Sequence, residues 1–421
     1  MANPVSVIIV GAGGRGWGYA TYAEHCPEQM KVVGVAEPRA FHRARVVKTH
    51  QIAREMTFRN WQALARQPKL ADAVLICTQD AMHEKAMLAF ARLGYHILLE
   101  KPMAPTAKAC RRIVEAAREA GTVFAVCHVM RYTTYTQILK RMLDEGAVGD
   151  IVNVQHYEPV GFWHQAHSFV RGNWRNEKES SFMLLAKSCH DIDWLSYIVG
   201  QPCKLVSSFG TLRHFRRSEQ PAGAADRCMD CQFADSCVYS AKKFYFDKLE
   251  KKELGWPLDV ADPEMTAPTL ERALREGPYG RCVYACDNDV VDHQVVNLEY
   301  AGGATASFTM TAFNPGGGRK TRIGGTKGYI ETNDSSLIRH YDYFTKEWKE
   351  IDTDAADAGI LGGHGGGDGG IMAAFLHAVA TGDRSAVLSG PDATIESHLT
   401  VFAAEQARRK NRVVELAKFK G

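Results

Sequence analysis

The chain has 421 residues, of which 45% are hydrophobic and 24% are charged, a composition typical of a globular protein with room for two ordinary domains. Its formal net charge of only +3 at pH 7 argues against a nucleic acid or a membrane surface as the main partner. No apolar run reaches the roughly 18 residues that span a bilayer, and no signal-peptide pattern precedes the first strand, so we expect a cytoplasmic protein whose eleven cysteines are reduced thiols or metal ligands.

The first part of the chain alternates short β-branched apolar runs with helical segments, as βαβ units do in a parallel sheet. We therefore predict an α/β domain over residues 1–126. Its predicted strands are residues 5–10, 31–36, 73–77, 95–99 and 123–126, and its predicted helices are residues 41–49, 84–93 and 107–120.

The rest of the chain, residues 127–421, has a different pattern. Residues 151–157 and 290–351 contain successive predicted strands with turn residues between them, which indicates an α+β domain with a large open, mainly antiparallel sheet. Residues 213–289 interrupt this domain as an irregular, proline-containing insert that holds five of the eleven cysteines.

A glycine-rich motif directly follows the first predicted strand. Such glycines let the backbone approach a pyrophosphate, and the helix that follows faces its negative charge. Glu37 ends the second predicted strand at about the distance of 20 residues where a carboxylate binds the ribose hydroxyls. The pattern predicts a Rossmann domain that binds NAD rather than NADP, because Glu37 would repel a 2′-phosphate, although Arg39 weakens this preference. The predicted cofactor ligands are Gly11, Gly13, Gly14, Arg15, Gly16 and Glu37.

Glu100, Lys101 and Pro102 follow the predicted strand 95–99, and ligands of parallel sheets bind at the carboxyl ends of the strands. Pro102 restricts the backbone before it to an extended or turn conformation. An ammonium group held there is suited to polarise a substrate hydroxyl beside the nicotinamide. The alternative for Lys101 is an ordinary solvated surface lysine.

The apolar residues after Cys189 recur at helical spacing, so His190 and Asp193 are predicted to lie three residues apart on one helix face. With Asp193 as an orienting carboxylate and Lys187 nearby, His190 is interpreted as a proton acceptor. The alternative is a histidine that is simply buried in the core.

These motifs resemble those of the glucose–fructose oxidoreductase / inositol dehydrogenase family (Gfo/Idh/MocA). The glycine motif, the strand end from Cys77 to Asp80, the turn at Lys101 and the His190 helix occur in family order. The resemblance implies a Rossmann domain followed by a domain with an open sheet often used for oligomerisation. It also implies catalytic roles for Lys101 and His190. We expect further cofactor contacts at Thr78, Asp80, His83, Glu100 and Lys101.

One position departs from the family pattern. Many dehydrogenases of the family carry an aspartate four residues before the histidine, where this chain has Ala186 followed by Lys187. The usual carboxylate–histidine relay is therefore in doubt. Lys187 would instead lower the pKa of His190 or bind an anionic group of the substrate.

Aromatic and cationic residues alternate between residues 157 and 174, as is typical of pockets for polar ligands. An ordinary surface loop with buried tryptophans is the alternative. The glycine-rich loop 362–370 would let His364 and Asp368 approach a ligand closely, unless it is a flexible linker. The predicted substrate ligands are Arg131, Tyr157, Trp163, His164, His167, Arg171, Trp174, Lys187, His190 and His364.

The cysteines of the insert predict a structural zinc site. Cys228, Cys231 and Cys237 have the spacing of a tetrahedral thiolate site, which Cys282 or Cys286 would complete. The alternative is a set of scattered buried thiols.

The sequence therefore predicts an NAD-dependent oxidoreductase acting on a secondary alcohol of a sugar, sugar derivative or cyclitol. We also expect a homodimer or homotetramer. One alternative is an NAD-dependent redox glycoside hydrolase, which oxidises C3, eliminates the aglycone, adds water and reduces again, with Arg171 and Arg175 available for an anionic substituent. A non-catalytic NAD-binding sensor is a third possibility, and the intact Lys101 and His190 count against it.

Overall fold

The computed structural model describes residues 3–353 and 365–419. Its first six strands form an entirely parallel sheet. They are β1 (Val5–Val10), β2 (Met30–Ala36), β3 (Thr57–Phe58), β4 (Ala73–Ile76), β5 (His96–Leu99) and β6 (Phe124–Val126). Their order, β3-β2-β1-β4-β5-β6, is that of a doubly wound Rossmann sheet, which confirms the predicted fold of the N-terminal domain.

Helices cover both faces of this sheet, and β4 is buried along its whole length, as expected for a parallel strand between two helical layers. The helices of this region are α1 (Gly14–Ala20), α2 (Tyr22–His25), α3 (Ala40–His50), α4 (Trp61–Ala65), α5 (His83–Arg92) and α6 (Ala107–Ala120).

The second domain is built on a nine-stranded sheet in the order β14-β13-β12-β11-β7-β10-β9-β8-β15. Its strands are β7 (Ile151–Pro159), β8 (Cys203–Thr211), β9 (His293–Tyr300), β10 (Thr305–Thr311), β11 (Lys320–Gly325), β12 (Gly328–Thr332), β13 (Leu337–Asp342), β14 (Glu347–Asp352) and β15 (Val414–Glu415). Among the strands in the described ranges, β7 and β10 are the one pair of this sheet that runs parallel, so the mainly antiparallel sheet is confirmed.

Nine further helices follow in the second part of the chain that the structure describes, and three of them belong to the insert. They are α7 (Thr134–Asp144), α8 (Phe162–His164), α9 (Met183–Ala186), α10 (Cys189–Val199), α11 (Ala241–Glu250), α12 (Leu258–Ala261), α13 (Ala267–Glu276), α14 (Gly367–Thr381) and α15 (Pro391–Lys410). A π-helix, Gln165–Arg171, follows α8. The insert expected to be irregular thus contains three helices.

Two C-terminal helices tie the domains together. Helix α14 buries Ile371, Met372 and Phe375 in the core of the Rossmann sheet. Helix α15 packs against α6 of the first domain and against α10 and β8 of the second. These contacts hold the two domains against each other. None of the helices in the described ranges combines the length and apolar character that crossing a membrane requires.

Candidate active site

The glycine loop between β1 and α1 has the close backbone contacts that only glycine allows. Gly11 has a φ of +92°, and a Cβ there would lie 2.6 Å from the carbonyl oxygen of Cys77. A Cβ at Gly16 would lie 1.9 Å from the carbonyl oxygen of Gly11. Gly14, by contrast, faces open space, which leaves room for a phosphate group against the loop.

Glu37 ends β2 beside this loop, with a buried carboxylate. It accepts hydrogen bonds from the backbone N–H of Ala12 at 2.7 Å and from the backbone and guanidinium of Arg39 at 2.9 and 2.8 Å. Burial acts to raise the pKa of Glu37, but the bonds from Arg39 and Ala12 outweigh it and lower the pKa. The carboxylate is therefore charged and aimed at the loop, as binding of a ribose requires.

Arg15 and Glu100, both expected to contact the cofactor, contact each other. Arg15 Nε lies 2.7 Å from Glu100 Oε1, and Arg15 Nη2 lies 2.7 Å from Asp368 Oδ1 on α14. Tyr19 donates its hydroxyl to Glu100 at 2.8 Å. These pairs tie the glycine loop to the end of β5 and to α14, so a structural role of both residues is visible, whereas their contact with a cofactor stays a prediction.

Lys101 joins the two domains at the carboxyl end of β5. Its ammonium Nζ donates to the carbonyl oxygen of Ala186 at 2.9 Å, and its backbone N–H donates to Glu100 Oε2 at 2.9 Å. Because Ala186 ends α9 just before Lys187 and His190, the structure brings the Lys101 turn and the His190 helix to one place. The Lys101 side chain remains partly exposed.

His83 and Asp80 support the Lys101 turn from the loop after β4. The two ring nitrogens of His83 contact the carbonyl oxygens of Pro102 at 2.9 Å and Thr78 at 3.0 Å. Asp80 is buried and accepts the hydroxyl of Ser180 at 3.2 Å. Burial raises the pKa of Asp80, although the charges of His83 and Lys101 oppose this.

Asp193, the predicted orienting carboxylate of His190, is bound by Arg131 and Ser397 in the structure. Its carboxylate accepts two bonds of 2.7 Å from Arg131 and one of 2.7 Å from Ser397. Arg131 Nη1 donates to the carbonyl oxygen of Leu388, also at 2.7 Å, so the guanidinium expected to bind substrate is committed to a buried pair. A bidentate arginine satisfies a buried carboxylate better than an imidazole one helical turn away.

Lys187 belongs to a network of alternating charges that the sequence analysis did not foresee. Its Nζ lies 3.0 Å from Glu158 Oε1, whose other oxygen lies 2.9 Å from Arg319 Nε. Arg319 also contacts Asp191 at 2.5 Å, and Asp191 contacts His156 at 3.1 Å. The ammonium of Lys187 is thus balanced by a carboxylate. One sequence signal could have predicted this network. Buried and exposed side chains alternate along β7, which places Glu158 on the buried face, and a buried carboxylate needs a cation beside it.

His164 is the member of the predicted aromatic segment that lies close enough to Lys101 and Lys187 to feel their charges. Burial, then the charges of Lys187, His167 and Lys101, hold the pKa of His164 well below its usual value, while the ring stays partly exposed. Its ring packs against Trp163 at 5.6 Å and edge-on against Trp256 at 4.9 Å.

The other predicted substrate ligands of this segment anchor the insert or the core. His167 bonds the hydroxyl of Tyr245 at 2.5 Å, and Arg171 donates to the carbonyl oxygens of Arg281 and Tyr239 at 2.7 Å each. Trp174 packs beside the core of the second domain.

Tyr157, a further predicted ligand, does not join the site in the structure. Tyr157 lies on the opposite face of β7 from Glu158, because side chains alternate along a strand. His364 lies outside the described residues.

The structure does not support the predicted zinc site. In the described part of the chain, no group of three or more His, Cys, Asp or Glu side chains lies close enough to hold a metal ion. Cys228 contacts Arg171 Nη2 at 3.6 Å, and Cys231 shares its segment. Arginine and aromatic contacts organise the insert instead.

Two family models account for most of the sequence. Residues 5–128 match an oxidoreductase family described as an NAD-binding Rossmann fold, and residues 140–416 match the C-terminal alpha/beta domain of that family. The chain belongs to the Gfo/Idh/MocA oxidoreductase family. The motif resemblance is thereby confirmed, and the glycine loop with Glu37 fits the NAD that the family's N-terminal fold binds.

Individual relatives of the family differ in what they act on. YteT of Bacillus subtilis (strain 168), named as an oxidoreductase, is 24% identical over 310 residues, 70% of this chain and 70% of its own. A 2,7-anhydro-N-acetylneuraminate hydratase of Escherichia coli (strain K12) is 29% identical over 161 residues, 38% of this chain, which spans only 42% of the hydratase. A levoglucosan dehydrogenase solved with NADH and levoglucosan shares the fold, with a TM-score of 0.71, 20% identity and coverage of 99% of this chain and 100% of that chain.

Proposed function

We propose that this protein is an NAD-dependent oxidoreductase acting on a secondary alcohol of a sugar, sugar derivative or cyclitol. The observation that carries the proposal is the bond from Lys101 Nζ to the carbonyl oxygen of Ala186, which unites the cofactor domain and the His190 helix. In an open α/β sheet, ligands bind at this carboxyl edge. The names of the hydratase and of the levoglucosan dehydrogenase support a carbohydrate as the substrate.

The two proposed catalytic side chains divide the chemistry of alcohol oxidation. Bound NAD supplies the acceptor for the hydride on the carbinol carbon. Lys101 holds and polarises the hydroxyl through its ammonium group, and His190 takes the hydroxyl proton as a general base. Glu158 keeps Lys187 paired, so that Lys101 is the cation available to the hydroxyl.

The test is a pair of substitutions at these residues. Lys101→Ala and His190→Ala should each lower turnover by about 10²-fold or more, the usual effect of losing a general acid or base, while NAD binding measured by fluorescence persists. Ser236→Ala, on an exposed position of the insert, is the matched control and should behave as wild type. Near-wild-type turnover in both active-site variants would refute the assignment.

An NAD-dependent redox glycoside hydrolase is our second candidate, and His164 is the observation that favours it. Oxidation at C3 acidifies the C2 hydrogen, so a second neutral base near the reacting hydroxyl is needed to eliminate the aglycone. Burial and the charges of Lys187 and Lys101 keep His164 neutral, and its ring is partly exposed. The hydratase among the relatives is named for the addition of water.

The two candidates give different products with a panel of glycosides and NAD. A plain dehydrogenase accumulates NADH in step with oxidised sugar. A redox hydrolase releases aglycone with no net NADH, incorporates solvent deuterium at C2 and is slowed by deuterium at C3. If the protein is a redox hydrolase, His164→Ala should abolish the incorporation of solvent deuterium at C2, while the oxidation at C3 that depends on His190 remains.

We also propose that the chain forms a homodimer or homotetramer through the open face of the nine-stranded sheet. The opposite face is covered by α10 and α15, whereas Gln155, Asn297 and Ser307 lie exposed on adjacent strands. A second copy of the sheet is a suitable cover for such a face.

A further inference from the structure

His128 is a buried histidine next to the proposed catalytic base, and nothing in the function described so far uses it. It follows β6 at the carboxyl edge of the Rossmann sheet and is 1% exposed. Among residues 3–353 and 365–419, neither of its ring nitrogens has a hydrogen-bond partner. Since buried polar groups in folded proteins are nearly always bonded, an unpartnered pair of nitrogens here indicates a functional demand.

The ring of His128 lies between two other histidine rings. The ring of His190 on α10 meets it edge-on, with centroids 5.9 Å apart and planes at 83°. The ring of His398 on α15 lies on another side at 5.2 Å. Asp193 Oδ2 is 3.5 Å from His128 Nδ1, just beyond hydrogen-bond distance.

His398 has no proton or lone pair to offer His128. Its Nε2 accepts the backbone N–H of Met103 at 3.0 Å, so its proton is on Nδ1, which donates to the carbonyl oxygen of Thr394 at 2.8 Å. The other charged groups that face the ring are the cations of Arg131 and Lys101. Asp193 and His190 are therefore the neighbours suited to bond the two nitrogens of His128.

We propose that His128 is a positioning residue that accepts a ring N–H of His190 and donates its own N–H to Asp193, in place of the carboxylate that Ala186 lacks. The proposal rests on the proposed function only in that it takes His190 as the base. The long contacts of a ligand-free site commonly shorten when substrate is bound.

The charges around His128 fit this arrangement. Burial lowers the pKa of His128 to about 3, although Asp193 opposes the change, so His128 stays neutral and can accept a bond. Burial also acts on Asp193, but the charge and hydrogen bonds of Arg131 outweigh it and keep that carboxyl charged. When His190 takes the hydroxyl proton, its second N–H then has an acceptor, and the imidazolium is stabilised while the proton stays on His190.

The test is an NMR titration of His190, which needs no substrate. The Cε1–H signal of His190 is assigned by its loss in His190→Gln and followed with pH in wild type, His128→Phe and His128→Asn. His128→Phe keeps a ring but removes both nitrogens, and it should lower the pKa of His190 by about one. His128→Asn retains an acceptor oxygen and should restore most of the wild-type pKa.

Asp193→Asn alone should also lower the pKa of His190. When Asp193→Asn is combined with His128→Phe, the pKa of His190 should be the same as in His128→Phe alone. His340→Phe, at another buried histidine on β13, is the matched control and should leave the signal unchanged. With an active substrate, the acid limb of kcat/KM should move to lower pH in His128→Phe while the maximum falls, which a purely structural role would not produce.

An unchanged pKa of His190 in folded His128→Phe overturns the proposal. If His128→Phe does not fold, the pKa of His190 is measured in His128→Leu instead, and an unchanged pKa there overturns the proposal. If His128→Phe lowers the pKa of His190 but the wild-type protein oxidises no alcohol, the His128–His190 contact is supported and the proposed function is refuted. The two proposals can therefore fail separately.

Discussion

Glu37 is the residue on which the choice between NAD and NADP depends. Its buried carboxylate is charged and bonded to the glycine loop through Ala12, where a 2′-phosphate would meet a second negative charge. We expect wild-type protein to bind NAD more tightly than NADP, and Glu37→Ala to narrow the gap by about tenfold, the scale of one charge-assisted contact. Fluorescence titration with both cofactors measures this, and equal affinities in the wild type would contradict it.

His167 should make the fold sensitive to acid. Burial lowers its pKa to about 3, against about 6.5 in the unfolded chain. As pH falls below 6.5 the unfolded state binds the proton first, so the free energy of unfolding should decrease down to about pH 3, with a slope approaching about 1.4 kcal/mol per pH unit. Urea unfolding at several pH values should show a smaller slope in His167→Gln.

The control for this prediction is His377→Gln, because the His377 side chain is 53% exposed. The free energy of unfolding of His377→Gln should change with pH at the same rate as that of the wild type. A wild-type stability that is flat between pH 6.5 and 4 would contradict the prediction.

Residues with local signals were predictable, and those that depend on distant partners were not. The glycine loop, Glu37 and Lys101 follow directly from strand ends in the sequence. Arg319 contacts Glu158 and Asp191, and His128 lies 3.5 Å from Asp193, and in each pair the residues are far apart in sequence. Such pairs form only when particular strands and helices become neighbours in the fold. Local sequence patterns do not show which elements will be neighbours.

At the scale of elements, the insert contributes an aromatic surface to the proposed site. Trp163 stacks on Phe244 of α11 at 5.7 Å and meets Trp256, which is 48% exposed, at 5.4 Å. Aromatic faces of this kind pack against sugar rings. We expect Trp256→Ala to raise KM by about 3- to 10-fold with little change in kcat. Steady-state kinetics should show no such effect in Trp348→Ala, a tryptophan of similar exposure on β14.

The same insert shows where element prediction failed. Five of the six parallel strands of the first domain were predicted to within one residue at each end, because buried β-branched runs bounded by turns have little alternative, whereas the two-residue strand β3 was missed. Helices α11 to α13 were missed because prolines and cysteines dominated the local pattern. The zinc prediction is not supported in the described residues, for a related reason. Cysteine spacing is compatible with a metal, but Arg171 and Tyr245 hold this segment through bonds to residues that are distant in sequence.

At the scale of the whole molecule, one face of the nine-stranded sheet is left open in the described chain, with Gln155, Asn297 and Ser307 exposed on adjacent strands. Ser307 lies near its centre, paired across strands with Gln155 and Asn297. Light scattering at micromolar concentration should give the mass of a dimer or tetramer. Ser307→Arg should shift it toward the monomer, because a charged side chain at the centre of a self-complementary face meets its own copy or leaves a buried charge unpaired. Glu28→Arg, an exposed position on the Rossmann domain, should keep the wild-type mass. A monomeric wild type would show that this face is covered by something other than a second copy of the chain.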